Sequence, residues 1–281
     1  MEVRLHQSVA DFRAAALGIY EADPVTATVE LMVLCSRLVD RNPAPLLITV
    51  RNAGKPVGAA FQTLRSPLMC SGLPESATNS VIDEIAPLRP HLNGVNGPHH
   101  IATNFAATWR AATGAVGAVR LRQRLHRLGE LSAPAEVEGQ ARPADPVDEG
   151  LISNWLNGFR AEALGTPVDT AVDPRHVRTA KESPDEILLW TVAGEPVGLA
   201  GVRLPIVGVS RIGPVYIPPE MRGHGYGSAV TAAAADWALR AAATEVVLFT
   251  DPDNPASNAA YRRIGFRPVS DYARIDFSPS S

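Results

Sequence analysis

The chain is poor in cysteine, carries no block of like charge and has no long apolar run, and each absence removes a class of protein. Two cysteines, Cys35 and Cys70, stand in 281 residues. Their spacing matches no disulfide framework and no metal-ligand pattern, so neither a disulfide-built scaffold nor a cysteine metal site is expected. Cys35 follows the apolar helical run Leu31, Met32, Val33, Leu34, which predicts a buried thiol. The arginines are scattered and the formal net charge is -3, so the footprint of a nucleic-acid partner is missing. No apolar stretch reaches membrane-spanning length. The mixed, charged start Met1 to Arg4 lacks the apolar core and cleavage site of a leader. A cytoplasmic protein without a membrane partner is the expectation, and monomer and homodimer both stay open.

What is present is a core-forming composition, 46% hydrophobic and 20% charged, in a chain whose length favours two domains. A repeat supports two. Ala53-Gly54-Lys55-Pro56-Val57-Gly58-Ala59-Ala60 recurs 140 positions later as Ala193-Gly194-Glu195-Pro196-Val197-Gly198-Leu199-Ala200, identical at six of eight places. An apolar run precedes each copy, residues 46–50 and 187–192, so each reads as strand, glycine turn, strand. The flanking order of helices and strands also agrees, which points to two domains of one fold. The Ser-, Ala-, Pro- and Glu-rich stretch 131–139 follows a basic strand-like run, 119–128, and sets the expected division at 1–133 and 134–281. In the second half the pattern predicts strand 138–142, helix 147–163 and hairpin 187–203. Strand 211–217, helix 227–242, strand 245–250 and helix 255–264 follow, with closing strands at 267–269 and 272–277.

Chemistry concentrates in this second half. The segment from Val215, Tyr216 and Ile217 through Pro218 to Arg222-Gly223-His224-Gly225-Tyr226-Gly227-Ser228 leads from an apolar strand into a glycine loop that opens a helix. Glycines allow close backbone approach, and the loop amides point with the positive end of the helix dipole, so the segment can cradle a pyrophosphate. Val230, Ala234 and Trp237 form the packing stripe of that helix. A dinucleotide fingerprint fails because Ser228 stands where a third glycine is needed, and a P-loop fails for want of Gly-Lys-Ser or Gly-Lys-Thr. After the next apolar strand comes Asp251-Pro252-Asp253-Asn254-Pro255, with Asn254 as N-cap, Pro255 at the first helical position and Gly265 closing the helix. Ser257, Asn258 and Tyr261 share one face of it. His99 and His100 are adjacent and diverge on a helix, so no metal site is expected.

These two segments resemble the GNAT superfamily of N-acetyltransferases. Its Arg/Gln-x-x-Gly-x-Gly/Ala motif is met by Arg222, Gly225 and Gly227. Its second signature is met by Asn254, Tyr261, Gly265 and Phe266. The resemblance implies an α/β (α+β) fold of two tandem GNAT-like domains, each a mixed, mostly antiparallel sheet flanked by helices. The first domain looks like a degenerate copy, because residues 67–75 contain no glycine loop. One site per chain follows.

By resemblance, the donor is acetyl-CoA. Backbone amides at Val215, Tyr216 and Ile217 would hold the pantetheine arm and thioester oxygen. Amides of Gly223, His224, Gly225, Tyr226, Gly227 and Ser228 would hold the pyrophosphate. Arg222 would orient the loop or meet phosphate, Asn254 would bond the pantetheine arm, Asn258 would also be cofactor-binding, and Tyr261 would be the general acid. Glu220 is the nearest acid to the loop, though more readily solvent-facing than a base, and a water relay is the alternative; His224 faces phosphate or solvent. The implied activity is acetyl transfer to a small-molecule amine. A protein N-acetyltransferase and a non-catalytic acetyl-CoA-binding regulatory module are the alternatives.

Overall fold

The computed structural model describes residues 1–37, 45–63, 66–164 and 185–278. It divides into two compact units, residues 1–124 with 270–281, and residues 125–269. Division by contact thus differs from the expected 133/134 boundary, because the last residues return to the first unit.

In the first unit the strands are β1 (Glu2–Leu5), β2 (Leu46–Asn52), β3 (Lys55–Gln62), β4 (Leu68–Met69), β5 (Gly94–Pro98), the start of β6 (Val116–Leu128) and the end of β12 (Phe266–Ser278). They lie in the order β1-β2-β3-β4-β5-β12-β6. Its helices are α1 (Val9–Glu21), α2 (Thr28–Met32), α3 (Thr78–Ile85) and α4 (His99–Thr113). The core gathers Ile48, Val50 and Leu68 from the sheet, Val81 and Ile82 from α3, and Phe105 and Trp109 from α4. Trp109 stacks on Phe105 and on Phe277, with centroids 6.2 and 5.9 Å apart.

Cys35 is exposed, contrary to the buried thiol the pattern predicts, while Cys70 is buried. After α2 the helix continues as a π-helical turn, Val33–Arg37. Widening from i→i+4 to i→i+5 bonding shifts the angular phase. Leu31 and Leu34 stay inside while Cys35 turns out.

The second unit orders β6-β11-β10-β9-β8-β7. These are the end of β6, then β11 (Glu245–Thr250), β10 (Val209–Tyr216), β9 (Glu195–Arg203), β8 (Asp185–Val192) and β7 (Gln140–Pro143). Its helices are α5 (Glu149–Leu164), α6 (Tyr226–Arg240) and α7 (Pro255–Arg263). One face of the sheet packs under α6 through Val202, Ile212, Val230, Ala234 and Leu248. Ile152 of α5 packs with Leu189, Leu199 and Tyr216, joined by Trp155 and Phe159. The two closing strands expected at 267–269 and 272–277 are one strand, β12.

The repeat is real in three dimensions. Asn52 faces Lys55 across the first hairpin and Val192 faces Glu195 across the second. Both turns are Ala-Gly with φ of +49° then +79°, and +49° then +88°. Positive φ at both central residues is the I′ pattern that matches strand twist. Both hairpins also slip register at the same place, between Val50 and Arg51 and between Trp190 and Thr191, so the 140-residue offset extends to the irregularity. Each unit then adds a parallel pair, β4 with β5 and β10 with β11.

Candidate active site

β10 runs parallel to β11 only from Val209 to Ile212, opposite Glu245 to Leu248. On its other side it pairs with β9 at Ile212–Val202, slips register, and resumes at Val215–Ala200 and Tyr216–Leu199. From residue 213 onward it therefore follows β9 and leaves β11. A Cβ on Gly201 of β9 would lie 2.9 Å from the Gly213 carbonyl oxygen and 3.2 Å from Pro214 Cδ, so glycine is required there for the bend to fit. Main-chain groups of residues 213–216 on the β11 side have no ladder partner in β11. A bound molecule with an extended polar arm would satisfy them. Val215 and Tyr216 lie on this stretch, and Ile217 is the first residue past it.

The chain next makes the 3₁₀ turn Pro219–Met221 and reaches the glycine loop. Gly223 and Gly225 have φ of +87° and +85°, and Gly225 is the N-cap of α6 with no side-chain cap. The first intrahelical bond is Ala229 N–H to Gly225 O, 3.1 Å. Amides of Tyr226, Gly227 and Ser228 thus have no acceptor within the helix and sit at its positive end. Gly227 differs from the other two glycines. Its φ is ordinary, and a Cβ there would meet only Ile217 Cγ1 at 3.5 Å, a normal contact. Among the described residues nothing requires glycine at 227; close approach of a ligand would. A pyrophosphate over these amides fits the arrangement.

Around the loop, Arg222 donates from Nε to Ile217 O (2.9 Å) and from an NH₂ group to Glu162 Oε2 of α5 (2.7 Å). Its guanidinium lies 5.9 Å from the centroid of the Tyr216 ring. These contacts hold the guanidinium against β10 and α5. His224 is exposed, stacked on Tyr226 at 5.3 Å, with Nδ1 3.3 Å from Met221 O. Glu220 is exposed on the 3₁₀ turn.

Beyond β11, Asn254 Oδ1 accepts the Ser257 amide at 3.1 Å and starts α7. Asn258 is buried. Its Oδ1 accepts the Thr250 hydroxyl, and its Nδ2 donates to Asp251 O and Asn254 O at 2.8 and 2.7 Å. Through these bonds Asn258 ties the end of β11 to the first turn of α7. Tyr261 is partly exposed, packed edge-on against Phe266. Burial pushes its phenol up to about 12, with the nearby Thr231 hydroxyl acting weakly the other way. Thr231 itself donates to Gly227 O at 2.7 Å, one turn back along α6. Glu162 carries no motif signal, since it acts through Arg222, 60 positions further along the chain.

The equivalent place in the first unit is closed. Past Met69 the chain stays against β5 through Cys70 N–H to Asn96 O (3.0 Å) and folds onto β3 through Ala59 N–H to Gly72 O (2.9 Å). A Cβ on Gly58 would fall 2.5 Å from Pro74 Cδ, so the proline ring fills the space beside β3. Buried Glu30 accepts the Ser71 amide inside this turn. Its charge, added to burial, raises both the Tyr20 phenol and the Cys70 thiol.

An antiparallel hairpin followed by a parallel pair that parts beside a glycine-capped helix is the GNAT arrangement, and the family comparison agrees. Residues 152–266 match the model of the acetyltransferase (GNAT) family. The matched segment lies within the second unit, from α5 to the first residue of β12. Among solved structures, a GCN5-related N-acetyltransferase from Kribbella flavida is 18% identical, with a TM-score of 0.60 over 93% of this chain and 96% of that one. Another from Sphaerobacter thermophilus is 20% identical, with a TM-score of 0.60 over 98% and 94%. A tandem GNAT protein from the clavulanic acid biosynthesis pathway is 14% identical, with a TM-score of 0.59 over the whole of both chains. No curated protein matches the sequence. Among the described residues no helix is long and apolar enough to cross a membrane.

Proposed function

We propose that the chain is an acetyl-CoA-dependent N-acetyltransferase for a small-molecule amine, with its one site in the second unit. The observation that carries the donor is Gly227, a glycine that no described residue requires, set among three helix amides without an intrahelical acceptor beside a parted pair of strands. Acetyl-CoA supplies an acyl group activated as a thioester toward a neutral amine. Amides of residues 215–217 hold the pantetheine arm and donate to the thioester oxygen, where negative charge develops. The amides of residues 223–228 hold the pyrophosphate, and Asn254 stands at the start of α7 on the β11 side of the gap.

Tyr261 holds a proton for the departing thiolate. With its phenol at about 12, against about 8.5 for an ordinary thiol, it stays protonated at every pH near neutrality. Tyr261→Phe should lower kcat by about 10²-fold or more and leave acetyl-CoA affinity within a factor of about two, because only the leaving group uses the hydroxyl. Unchanged kcat would remove Tyr261 as the acid. Release of CoA thiol across a panel of amines and peptides tests the acceptor. Turnover only with peptides would make the chain a protein acetyltransferase, and binding without turnover a regulatory module.

A further inference from the structure

We infer that Glu162 is a positioning residue for acetyl-CoA, latching α5 to the glycine loop through Arg222; the inference rests on the function proposed above. Glycine is a poor choice inside a helix, yet Gly158 sits mid-way along α5. A Cβ there would fall 2.5 Å from Tyr216 Oη, so the helix is pressed onto the end of β10 by the absence of a side chain. Glu162 is one turn further along the same face. Its Oε1 accepts from Tyr216 Oη at 3.4 Å and its Oε2 from Arg222 at 2.7 Å. Arg222 passes the constraint on through Nε to Ile217 O, the last carbonyl before the proline turn.

Slot, ion pair and carbonyl contact thus fix both ends of residues 217–222, and these residues set where the amides of α6 point. Glu162 also neutralises Arg222, so the guanidinium serves as a spacer rather than as a counter-charge for phosphate. The half-exposed pair adds little to global stability; its effect belongs to the loop.

Titration of acetyl-CoA and of free CoA into the wild-type chain, Glu162→Gln, Glu162→Ala and the exchanged pair Glu162→Arg/Arg222→Glu tests this. Both single variants should bind acetyl-CoA and CoA about tenfold more weakly. KM for acetyl-CoA should rise in step, while kcat stays within about twofold and the thermal midpoint within about 4 °C. The exchanged pair should recover part of the affinity. Unchanged binding in Glu162→Gln overturns the latch, and so does tighter binding, which would mean that Arg222 had been withheld from phosphate. A wild-type chain that binds neither ligand defeats the proposed function itself.

Discussion

The three loop glycines serve two different ends. Gly223 and Gly225 have backbone angles that a side chain resists, and at Gly225 a Cβ would also press on Val137 Cγ2 at 3.0 Å. Replacing either perturbs the loop before any ligand arrives. Gly227→Ala separates the two effects: alanine favours the helix by up to about 1 kcal/mol, so the thermal midpoint should hold or rise. Acetyl-CoA affinity should nevertheless fall by about tenfold or more, as the methyl group displaces the anion from the helix amides. Retained affinity in calorimetry would remove pyrophosphate from this spot. At Tyr261 the raised phenol has a consequence for pH. A group at about 12 is still protonated at pH 10, so kcat should show no descending limb between pH 7 and about 10 from loss of this proton. A limb there that disappears in Tyr261→Phe would contradict the assignment.

Elements are held in place by side chains whose role is local. Asn258 spends both ends of its amide on Thr250, Asp251 and Asn254. Asn258→Ala leaves those buried groups short of partners and should cost about 2–3 kcal/mol in urea unfolding. At the start of α5, Asp148 accepts two bonds from Arg142 and one from the Asp145 amide. The Arg142 guanidinium holds the Asp148 carboxyl below its ordinary value. A depressed folded-state pKa gives stability that is present above the unfolded-state value, about 3.9, and is lost as pH falls through the folded one. Asp148→Asn should therefore lower the urea midpoint at pH 7, and the gap to wild type should narrow below about pH 4.

Both hairpins were readable because an Ala-Gly turn is a local signal, and α7 was readable because Asn254, Pro255 and Gly265 mark its ends in the sequence itself. Cys35 was misread because the step from α to π geometry has no signature in the apolar pattern. The Glu162–Arg222 pair bridges 60 positions and Tyr272 pairs with Pro98. Contacts of that reach leave no trace in spacing.

For the whole molecule, the closed turn of the first unit leads to the prediction of one acetyl-CoA per chain. Calorimetry should give a stoichiometry near one, and a value near two would reopen the first unit as a site. The place of β12 has a different consequence. Its residues 272–276 lie against β5, and in strand order it stands between β5 and β6. During synthesis β5 and β6 are made long before Tyr272 exists. At about 5–20 residues per second the interval is on the order of ten seconds, during which β5 presents a bare edge to the cell. The first unit thus cannot finish folding ahead of the second, despite coming first in the chain. Residues 1–133 produced alone should give a weak, concentration-dependent circular dichroism signal and aggregate through that edge. Adding a peptide of residues 266–278 should restore order, a complementation that a self-sufficient first unit would not need.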